Sequence, residues 1–207
     1  MTTPRWLPSH EKNRQHGDIC SSRWWGRTVE RELLPWGLSE LELGEDVLEI
    51  GPGFGATTKV LAKRPGQLTV LELDEGYCAR LRRELSERVE VVQGDATAMP
   101  FADGRFSAVV CFTMLHHLPT PAAQDRLLAE AARVLRPGGV FAGTDSLGTG
   151  RLFRLLHVGD ILVPIAPDGL PARLQAAGLA ELEIREGGSS FRFRARKPEA
   201  AGAASAA

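Results

Sequence analysis

Three alternating glycines and a later glutamate are the residues of this chain whose spacing most clearly suggests chemistry. Gly51, Gly53 and Gly55 follow a short apolar run and lead into a helix-forming stretch. Glycine lets the backbone turn sharply and approach a ligand, and the free N–H groups of a helix start point back at that ligand. Glu72 ends the next apolar run, 21 residues after Gly51, where a carboxylate can accept hydrogen bonds from ribose hydroxyls. The pattern predicts a nucleotide-cofactor loop but does not by itself name the cofactor.

Five motifs in a fixed order narrow this prediction. They are Glu49-x-Gly51-x-Gly53-x-Gly55, Leu-Glu72-Leu-Asp74, Gly94-Asp95-Ala96, the run from Cys111 to Pro119, and Arg136-Pro-Gly-Gly139. In this order they resemble the class I S-adenosylmethionine-dependent methyltransferases, over roughly residues 44–147. The resemblance points toward the small-molecule group that includes the quinone C-methyltransferases.

The resemblance implies a role for each cofactor-binding residue. Glu49 would support the loop, and Gly51, Gly53 and Gly55 would contact the methionine part of S-adenosylmethionine. Glu72 would bind the ribose. Further along the chain, Asp95 would bind the adenine amino group and Ala96 would lie beside the adenine. Cys111 is a further candidate for the cofactor site; its place at a strand end favours a small buried side chain over a nucleophile.

The elements around these motifs predict the fold class. Apolar runs at 47–50, 68–72, 89–92, 106–112 and 140–145 alternate with helical patterns, which is typical of a parallel α/β sheet. The resemblance implies a single Rossmann-like, seven-stranded, mostly parallel sheet with helices on both faces and a C-terminal antiparallel hairpin, here 179–184 with 190–195. Because ligands lie beyond the carboxyl ends of such strands, we expect the candidate residues to converge with Asp145 on one crevice.

Three parts of the chain are predicted: an N-terminal arm and lid helix (1–43), the methyltransferase domain (44–197) and a disordered tail (198–207). Residues 1–18 are predicted to be a mobile arm, followed by a helix from Arg23 to Leu34 that ends at Pro35. Trp24 and Trp25 on this helix either pack on the core, which the pattern favours, or face substrate as part of a lid. Residues 148–166 are predicted to form a helix with an irregular end at the substrate side.

The candidate catalytic residues are His116 and His117, which follow the fourth strand. Methyl transfer from a sulfonium needs mainly alignment and exclusion of water, so it can proceed without a base. Where the acceptor is a hydroxyl or an acidic carbon, a histidine is a suitable base near neutral pH. For each histidine the alternative is a purely structural role. His157 stands behind these two as a third candidate, although an ordinary helix position is the simpler interpretation.

Composition limits the partners. The 207 residues carry a formal net charge of −1, so the chain has no overall basic field, which disfavours nucleic acid as a partner. Cys20, Cys78 and Cys111 are odd in number and far apart, which favours a reducing cytoplasmic setting and no metal site. No apolar run approaches a membrane span. Trp24, Trp25 and the apolar segment at 152–165 indicate a small, apolar acceptor molecule. No membrane partner is expected, and the oligomeric state is left open.

Two smaller features of the domain have structural interpretations. Ser107 stands where the family usually carries aspartate, and we expect the position to serve structure. Arg192, Arg194, Arg196 and Lys197 alternate along the last strand, which is typical of a solvated sheet edge.

Alternative functions stay open on the sequence alone. An NAD(P)-dependent oxidoreductase would use the same glycine loop and ribose acid, although the Tyr-x-x-x-Lys pair is absent after Tyr77. An RNA adenine methyltransferase would carry an Asn-Pro-Pro-Tyr-like motif after the fourth strand, where this chain has Phe112-Thr-Met-Leu115. A protein that binds the cofactor without catalysis is the third alternative.

Overall fold

The computed structural model describes residues 14–64, 66–85, 87–148, 150, 155 and 161–199. Seven strands form one sheet in the order β3-β2-β1-β4-β5-β7-β6. Pairing is parallel from β3 to β5 and antiparallel at β5–β7 and β7–β6, which confirms the predicted fold class and the closing hairpin. The strands are β1 (Asp46–Ile50), β2 (Gln67–Glu72), β3 (Val89–Gln93), β4 (Phe106–Phe112), β5 (Leu135–Ser146), β6 (Ala180–Gly187) and β7 (Ser190–Arg196).

Helices cover both faces of this sheet. The α-helices of the described residues are α1 (Arg14–Cys20), α2 (Arg23–Thr28), α3 (Leu34–Gly37), α4 (Ala56–Leu61), α5 (Glu75–Leu85), α6 (Pro121–Val134) and α7 (Leu170–Ala176). A π-helical turn, Val29–Leu33, joins α2 to α3, and short 3₁₀ turns lie at Leu115–His117 and Pro167–Gly169. One apolar core lies on the side of α6 and α7, and the second lies under the N-terminal helices, α4 and α5. Strand β4 is buried along its whole length, as its largely apolar sequence predicts.

The N-terminal region differs from its prediction in two ways. Residues 14–20 are helical, although they overlap the predicted mobile arm; residues 1–13 lie outside the described part of the chain. Pro35 does not end the helix, because the chain continues in α3 to Gly37. Proline lacks an N–H group and its ring clashes with the carbonyl four residues earlier. The π turn, in which Leu34 N donates to Val29 O, widens the helix immediately before this position and accommodates the ring.

The two tryptophans of α2 have different environments. Trp25 packs against the core under the N-terminal helices, whereas the side chain of Trp24 is 66% exposed. The prediction that both pack on the core is therefore wrong for Trp24.

Arg192 and Arg194 of β7 are also placed differently from their prediction, whereas Arg196 is exposed as predicted. Arg192 is buried, and its guanidinium donates to Trp36 O and Ser39 Oγ, both at 2.7 Å, and to Glu183 Oε1 at 2.9 Å. Arg194 likewise donates to Ser39 O. These bonds fasten the end of α3 to the sheet. A solvated edge is wrong here because β7 lies between β5 and β6, and β6 is the edge strand.

Ser107 supports the start of the domain. Its buried hydroxyl accepts from Asp46 N at 3.0 Å and donates to Leu43 O at 2.7 Å. We expect Ser107→Ala to lower the free energy of unfolding by about 1 kcal/mol, because these backbone groups lose their partner in the interior. Urea unfolding would measure the change, with Ser21→Ala, at an exposed position, as the control. Equal effects of the two substitutions would contradict the structural role.

Candidate active site

The carboxyl ends of β1 to β5 bring the sequence candidates to one rim of the sheet. Backbone hydrogen bonds tie the loops that leave these strands to their neighbours. Gly51 N donates to Leu71 O at 2.9 Å, and Thr113 N donates to Thr144 O at 2.7 Å. The rim therefore carries Glu49 to Gly55, Glu72, Asp95, residues 113–117 and Asp145, as the parallel arrangement predicts.

The three glycines of the first loop all have positive φ angles, but their surroundings differ. A Cβ atom on Gly51 would run into the side chain of Met114, and one on Gly55 would lie 2.6 Å from Leu81 Cδ2. A Cβ on Gly53, where φ is +52°, would meet no atom within 4 Å. Gly51 and Gly55 thus permit close packing, whereas Gly53 borders open space in which a ligand could contact the backbone.

Glu49 places a carboxyl group under this loop. It is 1% exposed and accepts a hydrogen bond from the Thr57 hydroxyl. Its Oε2 atom is buried and has no hydrogen-bond partner among the described residues. Burial raises the pKa of Glu49 to about 7, against the lowering effect of the hydrogen bond from Thr57. A buried acceptor of this kind fits a ligand that brings a donor or a positive charge.

Glu72 fastens the glycine loop to the end of β2. Its Oε2 accepts from Gly53 N at 3.0 Å, and its Oε1 accepts from Leu73 N at 2.8 Å and Asp74 N at 3.0 Å. Burial raises the pKa of this carboxyl group, and the three backbone donors partly offset the rise. The link to Gly53 was not predicted, because residue spacing suggests a ligand contact and carries no sign of a bond between the two motifs.

His116 and Asp145 form a buried pair. His116 is 2% exposed and Asp145 is fully buried, and the Nδ1 atom of His116 is hydrogen-bonded to Oδ1 of Asp145. The other carboxylate oxygen accepts from His116 N at 3.2 Å, and Oδ1 also accepts from Ser146 N at 2.6 Å. A carboxylate at Nδ1 fixes the ring orientation and directs the basic lone pair to Nε2.

His117 lies beside this pair and contacts another part of the chain. The two imidazole rings are 4.2 Å apart between centroids. Nδ1 of His117 lies 3.2 Å from Ile161 O, so this nitrogen acts as the donor. The turn that contains both histidines, residues 115–117, is therefore in contact with the segment that begins at residue 161.

The residue that leads into the histidine turn is strained. Thr113 has a φ of +51°, in the left-handed region that a β-branched residue rarely occupies. The sharp turn at the end of β4 places the side chain of Met114 against Gly51. Strain of this kind is often retained at functional sites, and sequence reasoning did not identify it.

The other candidate cofactor-binding residues differ in how deeply they are buried. Asp95 is half-buried after β3, and its Oδ1 accepts from Thr97 N at 2.8 Å. Ala96 packs against the core beside α6. Cys111 is fully buried within β4, and burial, together with the charges of Asp145 and Glu49, raises the pKa of its thiol well above the ordinary value. A neutral, buried thiol agrees with the interpretation that Cys111 is not a nucleophile.

Some sequence candidates lie outside the described residues. They include His157, most of the predicted helix at 148–166, and the tail from residue 200. Residues 161–166, the described end of that segment, form no helix or strand. Within the described ranges, no cluster of histidine, cysteine and acidic side chains is suited to bind a metal ion, and no helix has the length and apolar character to span a membrane.

Comparison with known proteins finds similarity to methyltransferases. Residues 48–143 match a family model described as a methyltransferase domain. The ubiquinone biosynthesis O-methyltransferase of Azotobacter vinelandii is 31% identical over 81% of this chain and 84% of its own length. A fatty-acid O-methyltransferase of Mycolicibacterium smegmatis is 42% identical over 50% of this chain and 38% of its own length.

A solved structure supports the same fold. Phosphoethanolamine N-methyltransferase 2 of Haemonchus contortus, in complex with S-adenosyl-L-methionine, superposes with a TM-score of 0.74. The superposition covers 96% of this chain and 60% of that protein, at 16% identity. At this identity the likeness shows the fold alone.

Proposed function

Because the chain belongs to the class I S-adenosylmethionine-dependent methyltransferases, we propose that it methylates an oxygen atom of a small, largely apolar acceptor. The observation that carries this proposal is an apolar segment held against the histidine turn. Ile161, Leu162 and Val163 are half-buried, and Val163 N donates to His116 O at 2.8 Å. The names of the two O-methyltransferase relatives, one for ubiquinone biosynthesis and one for fatty acids, support both the oxygen and the apolar character.

The same proposal assigns the cofactor residues. S-adenosylmethionine supplies a methyl group bound to a positively charged sulfur. Glu49 would accept a donor of the methionine part, since its buried Oε2 lacks a partner among the described residues. The open space over Gly53 would admit the cofactor to the backbone, with Glu72 and Asp95 beside the ribose and adenine.

His116 is the proposed general base. The acceptor oxygen would attack the methyl carbon with a lone pair, the sulfur–carbon bond would break toward sulfur, and the acceptor proton would pass to Nε2 of His116. Asp145 at Nδ1 would stabilise the resulting imidazolium. His117 would orient the segment at 161–163 through its bond to Ile161 O.

The N-terminal helices are the proposed lid. A Cβ atom on Gly17 of α1 would lie 3.2 Å from Phe54 Cζ, so α1 rests on the side chain between Gly53 and Gly55. The Phe54 ring in turn packs edge-on against Tyr77, at 4.8 Å between centroids. These contacts support closure of α1 over the cofactor loop, which would exclude water from the reaction.

A panel of acceptors with methyl-labelled S-adenosylmethionine tests the proposal. A catechol, a long-chain fatty acid, an alkylamine and a transcribed RNA are incubated separately, and label is followed by mass spectrometry. Label on the catechol or the fatty acid supports the proposal, whereas label on RNA or the amine alone contradicts it.

The proposal also includes a cytoplasmic location, which is consistent with three cysteines that are all free thiols.

Gly53→Ala tests the open space over the loop. We expect the affinity for S-adenosylhomocysteine to fall about tenfold, or about 1.4 kcal/mol, because the added methyl group lies where the ligand would contact the backbone. Gly188→Ala is a matched control. Gly188 has a similar φ of +61° and equally open surroundings, but it lies in the β6–β7 turn. Calorimetry should show reduced affinity only for Gly53→Ala. An equal loss of affinity in both variants would mean that backbone strain, and not a blocked ligand contact, causes the effect.

A further inference from the structure

Gln124 on α6 connects three segments near the histidine turn. Its side chain is 1% exposed, and its Nε2 donates to Leu115 O at 3.1 Å and to Val163 O at 2.8 Å. Its Oε1 accepts from Arg173 Nη1 at 3.1 Å. The two N–H groups of this buried amide thus bind the histidine turn and the segment at 161–166, and its oxygen binds α7.

The segment at 161–166 depends on such bonds because it has no regular structure of its own. Both backbone groups of Val163 are hydrogen-bonded: its N–H donates to His116 O, and its carbonyl oxygen accepts from Gln124 Nε2. Ile165, two residues on, is 3% exposed and belongs to the core beside α6. A small number of hydrogen bonds therefore sets the position of the apolar side chains at 161–163 relative to His116. Gln124 supplies two of them, one to the histidine turn and one to Val163.

We propose that Gln124 is a positioning residue that fixes the separation between the histidine turn and the apolar segment at 161–163. The inference rests on the proposed function, in which these two segments bound the acceptor. Gln124 acts through Leu115 and Val163, and not by touching the reacting atoms. Its burial supports this role, since a buried amide with every group bonded rigidifies its surroundings, whereas loss of one partner leaves an unpaired carbonyl.

Gln124→Leu is the test, because leucine keeps most of the volume and removes all three hydrogen bonds. We expect amide hydrogen exchange at residues 161–166 to become about tenfold faster, with the affinity for S-adenosylhomocysteine changed by less than about twofold. With the acceptor from the labelling panel, the KM for that acceptor should rise about tenfold while kcat stays within about twofold. Asp125→Asn is the matched control, since it removes the negative charge that pairs with Arg173 Nε at 2.6 Å and leaves the bonds of Gln124 in place.

The outcomes separate this inference from the proposed function. Unchanged exchange at 161–166 in Gln124→Leu overturns the positioning role, as does an equal increase across β4 and α6, which would mean general loss of stability. An unchanged acceptor KM overturns it also. If no acceptor in the panel is methylated, the proposed function fails, while the exchange comparison with Asp125→Asn still decides whether Gln124 holds the segment.

Discussion

Replacing Glu72 by alanine is expected to weaken binding of S-adenosylmethionine by about 1–3 kcal/mol. The wild-type carboxylate accepts hydrogen bonds from three backbone N–H groups, those of Gly53, Leu73 and Asp74. Removing it leaves these donors unpaired and releases the glycine loop from the end of β2. A direct contact of Glu72 with the ribose would be lost in the same substitution, so both effects act in one direction.

Calorimetry with S-adenosylmethionine and S-adenosylhomocysteine measures this loss. Glu75→Ala is the control, because Glu75 is an exposed acidic residue three positions away at the start of α5. Glu72→Gln separates the two effects. The amide can still accept from Leu73 and Asp74, but an NH₂ group oriented toward Gly53 N would repel it. An affinity in Glu72→Ala equal to that of Glu75→Ala would refute both the ribose role and the loop role.

The fold could be predicted where local sequence and tertiary environment agree. The run 106–112 is apolar except for Ser107, and the structure buries every residue of the corresponding strand. Pro35 is the opposite case, because the rule that proline ends a helix is local, whereas the π turn before it begins at Val29, a residue buried in the tertiary core. Arg192 and Arg194 were misassigned because the position of β7 inside the sheet follows from strand order, which alternation of charged residues does not encode.

The candidate site was predictable as a set of positions but not as a set of contacts. Glu49, the glycines and Glu72 have characteristic spacing along the chain, so the sequence identified them directly. The bond between His116 and Asp145 joins residues 29 positions apart and exists only because β4 and β5 are neighbours. Gln124 had no sequence signal, since a glutamine on an amphipathic helix is ordinarily solvated.

The second large effect is expected from the pH dependence of Glu49. Its pKa is about 7 in the folded chain, against an ordinary value of 4.5. Between these values the folded protein holds a proton that the unfolded chain has released, so the free energy of unfolding falls as pH rises. The stabilisation of the folded state by this bound proton is fully present below pH 4.5, and it is lost by about pH 7. The loss amounts to about 3 kcal/mol over this interval, at about 1.4 kcal/mol for each pH unit.

Glu49→Gln isolates this effect because glutamine has a similar shape and does not titrate. The stability of the wild type relative to this variant should decrease from pH 4.5 to 7 and then stay constant, as measured by urea unfolding at a series of pH values. Binding should show the opposite trend. A cation beside Glu49 favours the carboxylate, so affinity for S-adenosylmethionine should rise with pH, by up to about tenfold per unit, and level off near the pKa. The rise should be absent in Glu49→Gln; the same pH slope in both proteins would mean that another group controls binding and that Glu49 does not meet the charged part of the cofactor.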